Sequence, residues 1–337
     1  MRILVGVSGG VDSAVASHLL RGAGHELIGV TLQLGDTPDA GAPLVCQALG
    51  IRHLNIPARH EFEQRVIIPA AKEYARARTP NPCCECNEVF KFAFLYRQMQ
   101  LLGCDAVATG HYAAVDADGR ISRGADRRKD QSYFLYRVPE EIRRRLLLPL
   151  GGMTKPEARL LAERLSLPVA QRPDSQDVCF AVPGESCGET LRRRAGLPPK
   201  PGFFKYRGKI VGRHFGIHQF TVGQRNGMGV ALGVPAFIRS IDADTGDIEL
   251  ETEPECLMCR AFTIRRTVWH EDVSSREAAV QIRYRSRAVT ARLEMTGNGC
   301  ARIVPDEPLR AVTPGQAAVC YADNLLLGGS VIDKIEN

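Results

Sequence analysis

Apolar runs of strand length alternate with segments of helical periodicity over the first third of the chain. The runs predict strands over residues 2–7, 26–33, 51–56 and 105–109. Apolar residues spaced three or four apart predict helices over residues 12–23, 42–49, 60–76 and 87–102. Such alternation is typical of an α/β fold, a parallel sheet with helices on both faces, which binds ligands at the carboxyl ends of its strands.

The pattern changes beyond residue 188. LPPKPG is followed by short, glycine-spaced strands and by the hairpin-like FIRSIDADTGDIELE. From residue 253 almost to the end the chain alternates strands with turns, and AVQIRYRS is predicted as one of these strands. We therefore expect an α/β domain over 1–187, a small β-rich domain over 188–252 and a C-terminal β-barrel over 253–337.

The first predicted strand runs directly into SGGVDSA and a helix. Gly9 and Gly10 can adopt backbone angles that side chains forbid, and they let an anion approach the main chain. Ser8 and Ser13 add hydroxyls, and the helix that opens near Asp12 directs unpaired N–H groups and a positive dipole end at the same place. These features predict a phosphate site.

The motif differs from two common nucleotide signatures. It has no lysine after the last glycine, as a Walker loop requires, and it lacks the glycine spacing of the dinucleotide fingerprint. It resembles instead the pyrophosphate loop of the ATP pyrophosphatase superfamily, whose members cleave ATP between its α and β phosphates. The alternative is a glycine turn that serves packing alone, but such a turn has no need of two serines and an aspartate.

Cysteines cluster in TPNPCCECN. Two prolines give a rigid approach to a predicted helix, and a thiol at a helix N-terminus becomes more acidic and more nucleophilic. Cys86, with Asn87 as its expected cap, is the best-placed candidate, and Cys179 in the polar segment SQDVCF is a second. Cys256 and Cys259 form a CxxC pair that could complete a zinc site with Cys83 and Cys86. The remaining apolar settings predict packing cysteines at Cys46, Cys104, Cys300 and Cys320.

Composition narrows the class of protein. The chain has 337 residues, of which 24% are charged and 44% hydrophobic, close to globular averages. Its apolar runs are far shorter than a membrane span, and Met1-Arg2 leads straight into a strand without a signal-peptide pattern. We therefore expect a cytoplasmic protein with no membrane partner. Eleven cysteines are too few for a disulfide scaffold and indicate chemistry or metal binding.

The net charge of +6 is modest, but basic residues cluster. A phosphate backbone is one partner that such clusters suit, and a solvated face is the simpler explanation of each alone. Arg283 and Arg285 would point to one face of the predicted strand and Tyr284 to the other. The clusters are 127–129, 143–145, 192–194 and Arg283, Arg285 and Arg287.

Eight strings occur in order over almost the whole length: SGGVDSA, TPNPCCECN, ATGHYA, KDQSYFL, SQDVCF, FTVGQRNGMGV, IRYRS and TPGQAAVCY. Together they closely resemble the tRNA-specific 2-thiouridylase family. The resemblance implies ATP-dependent replacement of the C2 oxygen of the wobble uridine by sulfur, with a sulfur-donor protein, a cysteine desulfurase or a sulfur relay protein, as partner.

The resemblance also implies site residues. It assigns ATP binding to Gly6, Val7, Ser8, Gly9, Gly10, Val11, Asp12, Ser13, Leu32 and Gly110. It assigns contacts with tRNA or its target base to Asn81, Pro82, Cys83, His111, Lys129, Asp130, Gln131, Arg283, Tyr284 and Gln316. A lone histidine such as His111 more often closes a strand end, and FTVGQRNGMGV suits a glycine hairpin as well as a tRNA contact.

Two sulfur routes follow from the resemblance. In the first, Cys179 carries a persulfide and Cys86 is the nucleophile that frees its sulfur, leaving a Cys86–Cys179 disulfide. In the second, Cys83, Cys86 and Cys179 hold a [4Fe–4S] cluster whose fourth iron delivers sulfide. Cys83 opens this alternative because many relatives carry aspartate there. Mg²⁺ is expected with ATP, held with help from Asp12.

The chain departs from the usual pattern at Ala14 too, where relatives often have serine; with Ser8 and Ser13 present we expect little effect. Two other functions stay open. Another ATP pyrophosphatase, forming an amide or a guanidine, needs no reactive thiol and would stay active without Cys86 and Cys179. A non-catalytic RNA-binding protein would tolerate changes at Ser8 to Ser13.

Overall fold

The computed structural model describes residues 1–36, 39–174, 177–271, 273 and 277–336. Its strands are β1 Arg2–Gly6, β2 Glu26–Gln33, β3 Arg52–Pro57, β4 Ala106–Ala108, β5 Ala113–Val115, β6 Ile121–Arg123, β7 Leu146–Leu147, β8 Gly202–Tyr206, β9 Lys209–His214, β10 Phe237–Ile241, β11 Ile248–Glu251, β12 Met258–Cys259, β13 Ala261–Trp269, β14 Glu277–Gln281, β15 Val289–Gly297, β16 Cys300–Pro305, β17 Leu309–Arg310, β18 Ala317–Ala322 and β19 Leu325–Glu336.

Its α-helices are α1 Val11–Gly22, α2 Gly41–Ala48, α3 Arg59–Phe62, α4 Ile68–Ala75, α5 Pro82–Glu85, α6 Phe92–Leu101, α7 Glu140–Arg143, α8 Lys155–Arg164 and α9 Cys187–Arg194. Two π-helical segments, Glu63–Ile67 and Cys86–Lys91, join α3 to α4 and α5 to α6. Short 3₁₀ turns occupy Ser132–Leu135, Ile217–Gln219 and Pro254–Leu257. No helix in the described ranges is long and apolar enough to cross a bilayer.

The chain forms two compact units, each built from separate segments. The first contains Met1–Phe62, Cys83–Asp177 and Asp323–Leu326. The second contains Glu63–Pro82, Val178–Ala322 and Leu327–Asn337. The three-domain division at residues 187 and 252 stays a prediction.

The first unit carries the parallel sheet that the sequence predicts. Its strand order is β3-β2-β1-β4-β7, and all neighbours run parallel, with Val5 paired to Gly29 on one side and to Ala108 on the other. The chain moves outward from β1 through β2 to β3 and then returns to place β4 on the other side of β1. This reversal opens a crevice at the carboxyl ends of β1 and β4, where ligands bind in such sheets.

Burial explains why β1 reads as a continuous apolar run. Ile3, Leu4 and Val5 have no exposed surface, because both faces of the strand are covered. On one face α1 packs with small residues, and the fully buried Ala158 and Ala162 of α8 belong to the same core. The predicted helices and strands of this region are confirmed to within a few residues at their ends.

The second unit is rich in β-structure, as predicted. Strands in the order β10-β11-β8-β9 form a small sheet around the buried Phe204, and β10 and β11 form the predicted hairpin. An antiparallel barrel follows in the order β13-β16-β15-β14-β18-β19 and closes by pairing of β13 with β19. The predicted fold class, a parallel α/β sheet followed by a small β-rich region and a β-barrel, is confirmed.

The strand predicted from AVQIRYRS is shorter than expected. β14 ends at Gln281, and Arg283 to Arg287 lie in a turn before β15. The side chain of Gln281 donates to the backbone oxygens of Arg283 and Tyr284 at 3.1 and 2.7 Å. Ser286 closes the turn by exchanging hydrogen bonds with the backbone of Arg283. The predicted basic strand face is therefore wrong, because local side-chain bonds replace the ladder here.

Candidate active site

The loop between β1 and α1 has the geometry of an anion cradle. Gly9 has a φ of 74°, in the left-handed region. The hydroxyl oxygens of Ser8 and Ser13 lie 3.3 Å apart, and the backbone N–H of Ser8 donates to Ser13 Oγ at 3.2 Å. No side chain caps α1 from Gly10, so its first N–H groups face the loop with the positive end of the dipole. ATP contact by the segment Gly6–Ser13 stays a prediction that this geometry suits.

Gly110, which follows β4, lies directly against this loop. A β-carbon on Gly110 would lie 2.7 to 2.8 Å from backbone atoms of Asp12 and Ser13. The two strand ends at the crevice are therefore in backbone contact, and only glycine permits this approach. Leu32, the other residue predicted beside adenosine, is half-buried near the end of β2 and pairs in register with Ile56 of β3.

Asp12 is bound by two donors. Lys155 Nζ lies 2.6 Å from Asp12 Oδ1, and the hydroxyl of Tyr112 donates to the same oxygen at 2.7 Å. The second carboxylate near Lys155 is Asp174, at 2.9 Å. Lys155 therefore pairs with Asp12 in this structure, and the predicted Mg²⁺ site at Asp12 stays a prediction.

Asp174 forms ion pairs with three basic side chains. Besides Lys155, the side chains of Lys129 and Arg159 contact its carboxylate at 3.0 and 2.5 Å. Burial alone would raise the pKa of Asp174, but the hydrogen bonds from Lys155 and Lys129 outweigh it and hold the pKa at about 2. Lys129, predicted as a tRNA contact, therefore has an internal partner.

A second ion pair holds the cradle from its other side. The guanidinium of Arg172 binds both carboxylate oxygens of Asp39 at 2.6 and 2.9 Å and donates to Gly9 O at 2.9 Å. The hydrogen bond from Arg172 lowers the pKa of Asp39 against the opposing effect of burial. A β-carbon on Gly9 would lie 2.1 Å from Asp39 Oδ1, so this contact requires glycine as well.

His111 links the nucleotide crevice to the helix that carries the cysteines. Its Nδ1 lies 2.7 Å from Thr109 Oγ1 and its Nε2 lies 3.5 Å from Lys91 Nζ. An ammonium group only donates, so Nε2 accepts and Nδ1 carries the proton given to Thr109. Burial, and then the charge of Lys91, lower the pKa of His111 well below its usual value. His111 is thus a neutral side chain at the strand end, and its predicted tRNA contact stays untested.

The cysteine segment differs from its prediction in one respect. Helical structure begins at Pro82, so Cys86 lies one turn inside the helix, at the start of the π-helical segment. Asn87 does not cap a helix, because it is buried and its side-chain amide donates to Phe134 O at 3.0 Å. The predicted N-terminal position of Cys86 is wrong, since the helix starts directly at the second proline, the N1 position that proline favours. Cys83 lies in the first turn and is half-buried.

The segment 129–137 packs against the helical segment that carries the cysteines. The Cys84 thiol faces Tyr133 O at 3.9 Å, and burial raises the pKa of this thiol well above its usual value. Arg137, whose side chain is 9% exposed, pairs with Glu85 at 3.4 Å and Glu88 at 2.8 Å, on either side of Cys86. The segment that begins with the predicted tRNA contacts Lys129, Asp130 and Gln131 therefore anchors the cysteine helix.

Two further residues of that segment have internal roles. Asp130 is buried and accepts from the backbone N–H groups of Gly124 and Ser132 and from the side chains of Ser132 and Arg123. Gln131 accepts from the backbone N–H of Tyr112 at 3.0 Å. The burial and internal hydrogen bonds of the Asp130 carboxylate disfavour a contact between this group and tRNA. The tRNA contact assigned to Lys129, Asp130 and Gln131 stays a prediction.

The other predicted site residues belong to the second unit. Cys179 is exposed, Asn81 is half-buried and Pro82 is buried. Arg283 donates to Ala311 O and Thr313 Oγ1, both at 2.8 Å. Tyr284 and Gln316 lie in turns and are half-buried. An approach of Cys179 to Cys86 stays a prediction, and the neighbouring Ser175 and Gln176 of SQDVCF lie outside the described residues.

The basic clusters are more fully paired than their sequence suggests. The three arginines in the last turn of α9 all form ion pairs: Arg192 binds Glu189, Arg193 binds Glu185 and Arg194 binds Glu63. Arg143 is buried and donates to the backbone oxygens of Val138 and Gly119. The expected phosphate track is therefore not supported at 143 or 192–194, whereas Arg127 and Arg128 are exposed.

The described residues contain no group of three His, Cys, Asp or Glu side chains placed to hold a metal ion. The iron–sulfur site predicted at Cys83, Cys86 and Cys179 and the zinc alternative with Cys256 and Cys259 draw their ligands from both compact units, and they stay predictions. Burial raises the pKa values of Cys256 and Cys259, and the Cys259 thiol donates to Ala261 O at 2.9 Å, as a protonated thiol does. Both cysteines line a cavity of 440 Å³ in the second unit.

Sequence reasoning missed Lys155, Asp174, Arg172 and Asp39. One signal was present: TKPE just before an apolar-periodic segment is a capping box, which the structure shows with Thr154 and Glu157 at the start of α8. It fixes Lys155 at the first helical position. Nothing in the local sequence indicates that this position faces the β1–α1 loop.

Family models match three parts of the chain. A "tRNA methyl transferase HUP domain" matches residues 1–183, a "tRNA methyl transferase PRC-barrel domain" matches 194–250 and an "Aminomethyltransferase beta-barrel domain" matches 259–332. The first alone covers more than half of the chain. The names of these domain models refer to methyl transfer, whereas the full-length relatives described next are named for thiolation.

Curated relatives align from end to end. A "tRNA-specific 2-thiouridylase MnmA" of Carboxydothermus hydrogenoformans is 39% identical over 99% of this chain and 98% of the relative. The enzyme of the same name from Syntrophotalea carbinolica is 41% identical over 98% of both. Among solved structures, a 4-thiouridine synthetase in complex with RNA and ATP is 16% identical with a TM-score of 0.37, covering 58% of this chain and 50% of that one. A likeness of that size carries no argument about function.

Proposed function

Because this chain belongs to the tRNA-specific 2-thiouridylase family of ATP-using enzymes, we propose that it replaces the C2 oxygen of the wobble uridine of tRNA by sulfur. The observation that supports this most directly is the contact chain in the first unit. The first turn of α1, which follows the β1–α1 loop, touches Gly110, and the adjacent His111 contacts Lys91, which ends the π-helical segment that Cys86 begins. An anion cradle and a thiol-bearing helix are thus built on neighbouring strand ends.

The first chemical step is activation of the oxygen. The C2 oxygen attacks the α-phosphorus of ATP, a P–O bond forms, and the α–β bridging bond breaks with its electron pair leaving on pyrophosphate. The cradle of Gly6–Ser13 suits this step because backbone N–H groups and a helix dipole stabilise charge that develops on phosphate oxygens. We assign no step to the Mg²⁺ expected at Asp12, which stays a prediction.

The second step transfers sulfur. The outer sulfur of a Cys179 persulfide, supplied by a donor protein, attacks C2 and expels AMP. The Cys86 thiolate then attacks Cys179 Sγ, the sulfur–sulfur bond of the adduct breaks, and 2-thiouridine leaves a Cys86–Cys179 disulfide, which a dithiol reductant reopens. The exposure of Cys179 suits receipt of sulfur from a protein. The iron–sulfur route stays an alternative, and we derive no step from it.

The test uses the purified protein, ATP, an unmodified tRNA and a cysteine desulfurase with ³⁵S-cysteine. We expect AMP, pyrophosphate and ³⁵S-labelled 2-thiouridine in equal amounts, identified by nucleoside mass spectrometry. Cys86→Ser and Cys179→Ser should abolish labelling, whereas Cys300→Ser, a half-buried cysteine of β16, is the matched control. Full labelling in either of the first two variants, or label elsewhere than the wobble base, contradicts the proposal.

A further inference from the structure

Lys155 places a buried positive charge beside the anion cradle. It is the first residue of α8, its side chain is 10% exposed, and its Nζ lies 2.6 Å from Asp12 Oδ1 and 2.9 Å from Asp174 Oδ1. Asp12 is the second residue of α1, in the turn whose free N–H groups face the loop. The ammonium group therefore contacts a residue in the first turn of α1, the turn whose N–H groups face the predicted phosphate site.

The backbone of Lys155 is held in place from two directions. Its backbone N–H donates to Asp126 Oδ2 at 2.9 Å, and the Thr154–Glu157 capping box fixes the start of its helix. α8 belongs to the same core as α1 through the fully buried Ala158 and Ala162. Positioning of this kind lowers the reorganisation needed when charge develops on a substrate.

The charges around Lys155 balance one another. Asp12, Asp174 and Asp126 contribute three negative charges, and Lys155, Lys129 and Arg159 contribute three positive ones. The loop beside them is positive through the helix dipole of α1. An ammonium group next to that dipole suits a polyphosphate rather than a neutral ligand.

If Lys155 had a purely structural role, Asp12 and Asp174 would need it as a hydrogen-bond and ion-pair partner. They do not, because Asp174 keeps Lys129 and Arg159 as partners and Asp12 keeps the hydroxyl of Tyr112. Removal of the lysine therefore leaves neither carboxylate bare, so the usual penalty for an uncompensated buried charge is small. Asp12 and Asp174 therefore do not need Lys155 as a partner, which leaves its charge available for a ligand.

We propose that Lys155 turns from Asp12 toward the β-phosphate of ATP and stabilises the leaving pyrophosphate during activation of the uridine, an inference that rests on the proposed function. In this step the bond between the C2 oxygen and the α-phosphorus forms, the α–β bridging bond breaks, and the electron pair stays on the pyrophosphate oxygen. Lys155 remains protonated and donates hydrogen bonds to that oxygen, while Tyr112 continues to hold Asp12.

The experiment compares Lys155→Met with Arg164→Met, an exposed basic residue at the end of the same helix. Single-turnover release of pyrophosphate from ATP in the presence of tRNA should slow by about 10²–10³-fold in K155M, as for loss of one preorganised donor. The Kd for ATP, measured by equilibrium dialysis, should change by less than about tenfold, because the charge develops mainly in the transition state. R164M should match the unmodified enzyme in both.

Two further variants separate charge from structure. K155M combined with Asp174→Asn removes a carboxylate together with its partner, and it should remain as slow as K155M. Lys155→Gln keeps a donor for Asp12 but no charge and should lose the rate even if K155M does not fold. An unaltered rate in K155M or K155Q, or a rate restored in the double variant, overturns the inference. Absence of pyrophosphate release from the unmodified enzyme would instead refute the proposed function.

Discussion

At the scale of single residues, the crevice depends on positions where a side chain is excluded and on positions where a charge is fixed. Gly110 meets the backbone of Asp12 and Ser13, so no rotation of a neighbouring side chain could make room for a methyl group. His111, the next residue, is held neutral by burial and by Lys91. Both effects act on the same strand end.

Gly110→Ala should weaken ATP binding by about 1–3 kcal/mol, roughly five- to 150-fold in Kd, because the methyl group must push α1 and its N–H groups out of place. Gly22→Ala, at the end of the same helix with nothing within 4 Å of its would-be β-carbon, is the matched control and should bind ATP normally. Isothermal titration of both variants with a non-hydrolysable ATP analogue measures the difference. Equal affinity in the two would show that the close contact is not needed.

Lys91→Met should raise the pKa of His111. The positive charge of Lys91 opposes protonation of the ring, so its removal favours the charged form, but burial, the larger cause, remains and keeps the pKa below the usual value of 6.5. Titration of the His111 ring signals by NMR, assigned with His111→Gln, measures the shift. A pKa that stays constant or falls in K91M contradicts the contact between these side chains.

Prediction from sequence matched the local geometry of the structure where the residues concerned are adjacent. The strand, two glycines and two serines of the cradle are contiguous, so their geometry follows from local preferences. Lys155 and Arg172 act through contacts across more than 100 residues of chain, and Asp174 binds Lys129, which lies 45 residues away. The residues next to them in sequence contain no signal of these contacts. Their role depends on the packing of α8 against α1, which only the folded sheet determines.

At the scale of elements, the cysteine helix is positioned by a segment that contains only a short 3₁₀ turn, Ser132–Leu135, among its described residues. Residues 129–137 contact it through Tyr133 O, Phe134 O and the Arg137 guanidinium. The sequence predicted a helix over 87–102 but not its start at Pro82 or its π-helical segment, because the widened turn follows from these contacts and not from residue propensity. π-helical turns often occur at functional sites.

Arg137→Met should reduce the free energy of unfolding by about 2–4 kcal/mol, because it leaves Glu85 and Glu88 without their shared buried cation. It should also slow thiolation, since both glutamates flank Cys86. Arg97→Met removes the more exposed pair with Glu61 and should cost less than about 1 kcal/mol. Urea denaturation of both variants measures the cost. Equal stability of R137M and R97M would contradict the role assigned to Arg137.

At the scale of the whole molecule, the order of the chain does not follow the compact units. Glu63–Pro82 lies between two segments of the α/β unit in sequence but belongs to the second unit. Its contacts there are specific: Thr79 N–H donates to Pro314 O at 2.9 Å, and Glu63 pairs with Arg194. Composition and periodicity could not show this, because the segment is an ordinary amphipathic helix followed by a turn.

Arg78 makes the largest set of these contacts. Its guanidinium donates to Ile332 O at 2.8 Å and to Asp333 O at 3.2 Å, and its Nε lies 2.9 Å from Glu73. Arg78→Met should therefore lower the free energy of unfolding by about 2–4 kcal/mol, because two carbonyl oxygens of β19 and a carboxylate lose a largely buried donor.

The matched control is Arg76→Met, two residues away, whose side chain is 69% exposed and pairs with the same Glu73. It should cost less than about 0.5 kcal/mol. Hydrogen exchange localises the effect: amides near Ile332 and Asp333 should exchange faster in R78M and at the normal rate in R76M. If β19 kept its protection in R78M, the segment 63–82 would be a passive neighbour of the barrel, whereas selective loss would show that the barrel depends on residues from the middle of the α/β sequence.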